Sequence, residues 1–284
     1  MVKALADLHV HSNVSDGLDS PADLVEKAVE KDIGGIALTD HDILDGNAEF
    51  MECSASRNLQ RVPGVEVSTE HDGYEAHILG YFVHWGPSSL RTRLGAIERA
   101  RRERFPRMIR KLSNLGIDVS DEEVNDALRG VGSPGRPHLA RILVEKEVVS
   151  DVQEAFDEYL AAGKPAYVKK ERIDTIEAIR LLRDVAAVPV LAHPLIISSV
   201  SFPDLLKLLR GFGLEGVEVE YDYGELRTYG TARLLRKIAA EIGLIETGGS
   251  DYHGDSSHSQ IGEVTVPVET IDRLRGVHKR LLKP

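Results

Sequence analysis

The sequence predicts an α/β chain, a parallel sheet or barrel interrupted by a helical insert, and three observations predict it. Short apolar runs with strand character alternate with amphipathic helical stretches through the first and last parts of the 284 residues. Side chains with strong chemistry stand at or just past the ends of those runs. Between Ser88 and Gly163 the alternation stops, and helical periodicity continues with almost no strand signal.

The first strand is the run Leu5-Ala-Asp-Leu-His9-Val-His11. Alternation along a strand puts His9 and His11 on one face, close enough to hold one metal ion. Ser20-Pro21 reads as an N-cap followed by proline in the first helical turn, and Leu24, Val25, Ala28 and Val29 supply the apolar stripe of a helix that Gly34-Gly35 ends. A second strand, Gly35 to Thr39, delivers Asp40-His41-Asp42, and a helix follows over residues 46 to 60. Val62 to Ser68 forms a third strand carrying Glu66. Asp72-Gly73 is a turn signal, and strand character resumes at His77.

The insert reads as four helices: Leu90 to Leu115, Asp121 to Leu128, His138 to Glu147 and Asp151 to Ala162. The first is strongly basic, with Arg99, Arg101, Arg102, Arg104, Arg107, Arg110 and Lys111, either as a solvated face or as an electropositive wall that draws in phosphate. Alternation then returns: helix Ile173 to Val185, strand Pro189 to His193, helix Phe202 to Gly213, strand Gly216 to Tyr221, helix Arg227 to Gly243 and strand Leu244 to Ser250. The last thirty residues read as a closing strand and a basic helix. The expected organisation is a barrel in two parts, 1–87 and 166–284, around an inserted helical subdomain at 88–165.

Composition narrows the function classes. With 42% hydrophobic and 29% charged residues, the chain has the make-up of a globular protein. A net charge of −11 argues against an extended nucleic-acid or acidic-membrane surface, though bound cations can supply local positive charge for a phosphorylated substrate. One cysteine, Cys53, excludes both an internal disulfide and a thiolate metal cluster and points to the cytoplasm. No stretch reaches the length of a membrane span, and candidate ligands that begin at His9 leave no room for a signal peptide.

The residues at the strand ends are His9, His11, Asp16, His41, Glu66, His77, His193, Asp251 and His253, six imidazoles and three carboxylates. Such nitrogen and oxygen donors suit manganese, iron or zinc. Nine donors exceed what one ion needs, so two or three divalent ions would share them, with Glu66 as a natural bridge.

Taken in order, Asp7-Leu-His9-Val-His11-Ser, Ser15-Asp16-Gly17, Thr39-Asp40-His41-Asp42, Gly64-Val-Glu66, His77-Ile-Leu-Gly, Ala192-His193-Pro194 and Gly249-Ser-Asp251-Tyr-His253 resemble the PHP (polymerase and histidinol phosphatase) metallophosphoesterases. The likeness is closer to the stand-alone bacterial branch with the helical insert, which includes nucleoside bisphosphate and 5'-mononucleotide phosphatases and 5'-to-3' RNA exonucleases. The resemblance implies a distorted (β/α)7 barrel and a trinuclear metal centre. His9, His11, Glu66 and Asp251 would hold the first ion, Glu66, His77 and His193 the second, and Asp16, His41 and His253 the third, with Glu66, Asp251 and His253 as the catalytic members. Much of the family has histidine where this chain has Asp16, which makes the third site more anionic. Asp40 and Asp42 are expected to orient imidazoles. Gly132-Ser133-Pro-Gly-Arg136-Pro-His138 resembles the loop through which this branch brings an arginine to the phosphate, with Ser133 and His138 beside it. His71, His84, His258 and His278 match no motif position.

The implied reaction is hydrolysis of a phosphomonoester of a nucleotide, either a 3',5'-bisphosphate or a 5'-mononucleotide. The alternatives are a 5'-to-3' exonuclease on short RNA and a non-catalytic metal-binding module. A barrel amidohydrolase would need a carboxylated lysine at a mid-chain strand end, where none stands. The expected partner is a phosphorylated small molecule, with no membrane and no obligate protein partner.

Overall fold

The structure, a computed structural model, describes residues 5–54, 59–128, 135–169, 172–197, 202–224, 229–255 and 258–283. It divides into two compact units, one of residues 1–94 and 172–284 and one of residues 95–171. These divisions fall some residues beyond the boundaries read from the sequence at 88 and 165.

The first unit is an α/β barrel. Its strands are β1 (Leu5–Val10), β2 (Gly35–Leu38), β3 (Gln60–His71), β4 (Tyr74–Tyr81), β5 (Ile173–Asp174), β6 (Val188–Leu191), β7 (Gly216–Glu220), β8 (Ile245–Gly248) and β9 (Val266–Pro267). They pair in the order β8-β7-β6-β4-β3-β2-β1-β9, with β5 attached to β3. The sheet nearly closes: just past β8, at one end of this path, Tyr252 bridges Val10 at the end of β1, the strand next to the other end, and the His11 N–H donates to the Tyr252 carbonyl at 2.9 Å. Closure demands glycine at 249, where a Cβ would lie 2.4 Å from the His9 nitrogen.

The outer helices are α1 (Pro21–Glu30), α2 (Gly46–Glu52), α7 (Thr175–Asp184), α8 (Phe202–Gly211), α9 (Tyr229–Glu241) and α10 (Glu269–Leu281), while α3 (Ser89–Ser113), α4 (Asp121–Ala127), α5 (Arg136–Glu145) and α6 (Val152–Ala155) come between α2 and α7 in the chain. Ser20 caps α1 by accepting from the Asp23 N–H, and Asp23 returns the bond to Ser20. Helix α2 is shorter than the expected run to residue 60, because Cys53 turns extended at ψ 145° and ends it. Leu8, Leu79, Tyr81, Val190 and Ala192 fill the barrel together with Ile271 and Leu274 of α10, while Leu24, Phe50, Ile36 and Leu38 pack in a second cluster with Val10 and Tyr252. Burial of this kind is worth about 25 cal/mol per Å² of apolar surface.

Two strands depart from the parallel pattern: β9 pairs antiparallel to β1, and β4 is reversed between β3 and β6. Asp72-Gly73 forms a tight turn, with φ of 47° and 85°, and sends β4 back antiparallel to β3, so that β4 also runs antiparallel to β6. Residues at the beginning of β4 thereby share an end of the barrel with residues at the ends of its neighbours.

The second unit has its own core of Phe105, Met108, Leu112, Leu139, Leu143 and Leu160. Among its described residues it is helical, and the expected helix 151–162 is α6 followed by a π-helical turn, Phe156–Leu160. Helix α3 is less uniformly a basic surface than its sequence suggests. Arg104 is buried and donates to the Val168 carbonyl at 2.7 Å, and Lys111 donates to that of Tyr167 at 2.8 Å. Arg99, Arg107 and Arg110 remain exposed.

Candidate metal centre

The barrel gathers the nine expected donors at one end, each delivered by a strand or the turn beyond it. His9 lies on β1, with His11 and Asp16 in the segment beyond. His41 follows β2, and Glu66 stands within β3 where the parallel pairing to β2 has ended. His77 belongs to the start of β4 rather than to a strand end, and the antiparallel course of β4 places it opposite Ser68 of β3. His193 follows β6, and Asp251 and His253 follow β8. His193 and Asp251 take positive φ of 27° and 53°, sharp turns that cost on the order of 1–3 kcal/mol each and persist where surrounding structure imposes them.

Glu66 is the hub. Its Oε2 lies 3.3 Å from both His9 Nε2 and His11 Nε2 and 3.1 Å from His41 Nδ1, and its Oε1 lies 2.9 Å from His77 Nδ1 and 3.0 Å from His193 Nε2. Asp251 Oδ1 lies 3.3 Å from His9 Nε2 and 3.1 Å from His11 Nε2. Asp16 approaches His253 Nε2 at 3.4 Å and His11 and His41 at 3.8 Å. Three overlapping sets can each hold an ion: His9, His11, Glu66 and Asp251; His41, Glu66 and His77; and His11, Asp16, His41 and His253.

The atoms themselves test whether cations fit. His9 Nδ1 faces Glu218 Oε1 at 3.0 Å, so Nδ1–H donates there and the Nε2 lone pair points at two carboxylate oxygens. A nitrogen and oxygens placed this way repel unless a proton or a metal cation lies between them. His9 Nε2, both nitrogens of His11, His41 Nδ1, Glu66 Oε2 and Asp251 Oδ1 are all buried without a hydrogen-bond partner among the described residues. Each such orphan costs about 1–3 kcal/mol. Bound divalent cations would satisfy the acceptor atoms of this set, including one nitrogen of His11, whose other nitrogen carries the ring proton.

Ionisation shows the same stress. Burial opposes charge on His11, yet Asp251 and Glu66 beside it outweigh that and raise its pKa to about 10. Burial likewise opposes charge on His9, and Glu218, Asp251 and Glu66 push it well above the usual histidine range. His41 goes the other way, to about 4, because burial dominates over Glu66 and Asp16. Burial works against the charged form of Glu66 and of Asp251, but the surrounding imidazoles hold both well below the usual carboxylate range.

The sequence profile of the PHP domain matches residues 7–168. The chain belongs to the PHP domain family. Among its PHP relatives, a 5'-3' exoribonuclease of Haemophilus influenzae is 31% identical over 90% of this chain and 93% of its own. A 3',5'-nucleoside bisphosphate phosphatase of Chromobacterium violaceum is 30% identical over 98% of each. A crystal structure of a candidate metal-dependent phosphoesterase from Bifidobacterium adolescentis superposes with a TM-score of 0.79 at 26% identity, covering 96% of both chains. Family, relatives and donor clusters make this PHP chain a hydrolase, a metal-dependent phosphoesterase. Among the described residues, no helix is long and apolar enough to cross a membrane.

Other residues of the PHP pattern hold the segments around the donors in place. Asp40 accepts from the Ser12 N–H and the Ser12 and Ser15 hydroxyls at 2.7 Å, so it fixes the segment that carries Asp16. Asp42 accepts from the Ser68 N–H at 2.7 Å. Glu218 of β7, fully buried, orients the His9 imidazole, accepting from its Nδ1 through Oε1 at 3.0 Å and from the His193 backbone N–H through Oε2 at 2.9 Å. Sequence reasoning passed over it because Gly216-Val-Glu-Val-Glu220 alternates like a strand with one solvated face, so nothing local separates the buried Glu218 from Glu220. Tyr221 donates to Asp251 Oδ2 at 3.1 Å, and the Asp251 carbonyl accepts from His253 Nδ1 at 2.7 Å. His258, matched to no motif, stacks on His253 with ring centres 4.2 Å apart and joins Asp251 and His253 in a further donor group.

In the helical unit, the Arg136 guanidinium lies over the rings of Phe156 and Tyr167 at 5.5 and 5.8 Å. His138 Nδ1 accepts from the Gly135 N–H at 3.1 Å, which leaves its proton on Nε2; burial, then Arg141, lowers its pKa and keeps the ring neutral. Ser133 lies outside the described residues. Arg172 is engaged by Glu75 and Glu70.

Proposed function

We propose that this enzyme hydrolyses the phosphomonoester of a nucleotide, a 3',5'-bisphosphate or a 5'-mononucleotide, at a centre of two or three divalent ions in the cytoplasm. The observation that carries the reading is the set of orphaned, buried nitrogens and oxygens converging on Glu66 and Asp251. His9, His11, Glu66 and Asp251 would hold one ion, Glu66, His77 and His193 a second, and Asp16, His41 and His253 a third. Manganese, iron and zinc all suit these donors. When bound, such ions lower the pKa of water and neutralise charge on phosphoryl oxygens.

The chain's own residues set the rest. Glu218 fixes the tautomer of His9, so that Nε2 presents its lone pair to the centre. Tyr221 occupies one oxygen of Asp251 and leaves Oδ1 for the centre. Glu66 joins two donor sets through its two oxygens. Arg136 is the proposed fork for the phosphate, with His138 Nε2–H and Ser133 as neighbouring donors. All nine positions carry competent donors, which argues against a non-catalytic module.

A phosphate-release screen over 5'-mononucleotides, 3',5'-bisphosphates and short RNAs, with manganese, iron or zinc in turn, tests the reading. Release from at least one nucleotide that disappears in H9A and E66Q is expected. Bound metal with no release from any of them overturns it. Exonuclease action is the second reading, favoured by the similarity to the Haemophilus influenzae enzyme and by exposed Arg99, Arg107 and Arg110. It predicts a steep loss of activity with salt on oligonucleotides that mononucleotides do not share.

A further inference from the structure

Between the β3–β4 turn and the segment after β6, the barrel unit has a cavity of about 370 Å³. That size falls in the range of about 300–1,000 Å³ usual for small-molecule sites. Its inner wall is His77 and His193, the same rings that touch Glu66 Oε1, so whatever fills the cavity adjoins the centre. Its outer wall is Tyr74, Ile196 and Ile197, and Tyr74 and Ile196 leave 36% and 47% of their surface to water. Aromatic and aliphatic surface left open beside a cluster of buried charges fits a ligand that is flat and apolar at one end and phosphorylated at the other.

The polar wall narrows the chemistry. Glu75 has Oε1 3.4 Å from His77 Nε2, and its other oxygen pairs with Arg172, which also faces Glu70 at 3.8 Å. The Glu75 carboxylate on this wall offers acceptor oxygens to a ligand that carries hydroxyl or amino donors. The turn beneath is held open by Gly73, with φ 85° and nothing within 4 Å of a would-be Cβ.

We propose that this cavity receives the nucleoside part of the substrate as the leaving group, its base against Tyr74 and Ile196 and its donors toward Glu75. The assignment rests on the nucleotide reading given above. Stacking on an aromatic face tolerates any base, so the cavity selects for a nucleoside rather than for its letter.

The test uses metal-loaded, full-length protein and the variants Y74A, Y74F and I196A. Y74A and I196A are expected to raise the KM for a 5'-mononucleotide about tenfold or more. The ratio of kcat/KM for that nucleotide to kcat/KM for glycerol 3-phosphate should fall as far, and Y74F, which keeps the ring, should retain it. An unchanged ratio in Y74A and I196A overturns the proposal. Binding of adenosine, followed by saturation-transfer NMR, separates the two readings. Adenosine bound by the wild type and lost in Y74A, in a protein that hydrolyses no nucleotide, upholds the cavity and sinks the reaction. Nucleotide hydrolysis with adenosine bound equally by wild type and Y74A sinks the cavity alone.

Discussion

At the scale of single residues, the centre depends on side chains that never need to touch substrate. Glu218 aims His9 and holds the backbone at His193, so E218Q is expected to weaken metal affinity by about 10- to 100-fold with the fold intact. Chelator competition and circular dichroism check it, and unchanged affinity refutes the role. Asp7 gives a pH signature. Burial raises its pKa from 3.8 to about 6 despite bonds from the Gly262 and Ser250 N–H groups. Its folded-state pKa exceeds its unfolded one, so its contribution is fully present below 3.8 and lost as pH rises through 6. Relative to D7N, the wild type should gain stability as pH falls from about 7.5 toward 4, by on the order of 3 kcal/mol. Denaturant melts of both proteins across that range measure the difference, in which any pH-independent effect of the asparagine cancels. The nine donors were legible because each belongs to a short motif. Glu218 and His258 were not, since nothing local marks a glutamate in an alternating strand or a histidine in a polar loop as belonging to a distant cluster.

At the scale of elements, closeness between chains matters most. Adding a Cβ at Gly249 would press on the His9 nitrogen at 2.4 Å and its Cβ at 2.5 Å, neither of which can swing away. G249A is expected to destabilise the fold by about 1–3 kcal/mol and to loosen metal binding, because overpacking here moves a ligand. S20A, removing the cap of α1, should cost about 1 kcal/mol with metal affinity unchanged, which makes it the control for mere destabilisation. Hydrophobic alternation revealed nearly every strand, and Ser20-Pro21 revealed the start of α1. The direction of β4 was hidden, because a two-residue turn and an apolar run describe a strand without saying which way it pairs. The π-helical turn at Phe156–Leu160 was hidden as well, since its residues keep ordinary helical spacing.

At the scale of the molecule, the order of motifs along the chain foretold that they would converge, since barrels bring successive strand ends to one mouth. Near-closure was visible only in three dimensions, as the bridge between Tyr252 and Val10 joins residues over two hundred positions apart. Because the donors come from β1, β2, β3, β4, β6 and β8, occupying the centre ties the barrel unit together. Saturation at about 100 times Kd should add about 2.7 kcal/mol of stability, reversed by a chelator. Calorimetric melts with and without manganese, and hydrogen exchange localising the added protection to the barrel unit, test it.

The crowding of His9 and His11 against shared carboxylate oxygens has a practical consequence. In metal-free protein near neutrality those rings hold protons that an arriving cation must evict. Titration with manganese is thus an exchange, and its heat will track the ionisation enthalpy of the buffer, differing between Tris and phosphate while the stoichiometry stays the same.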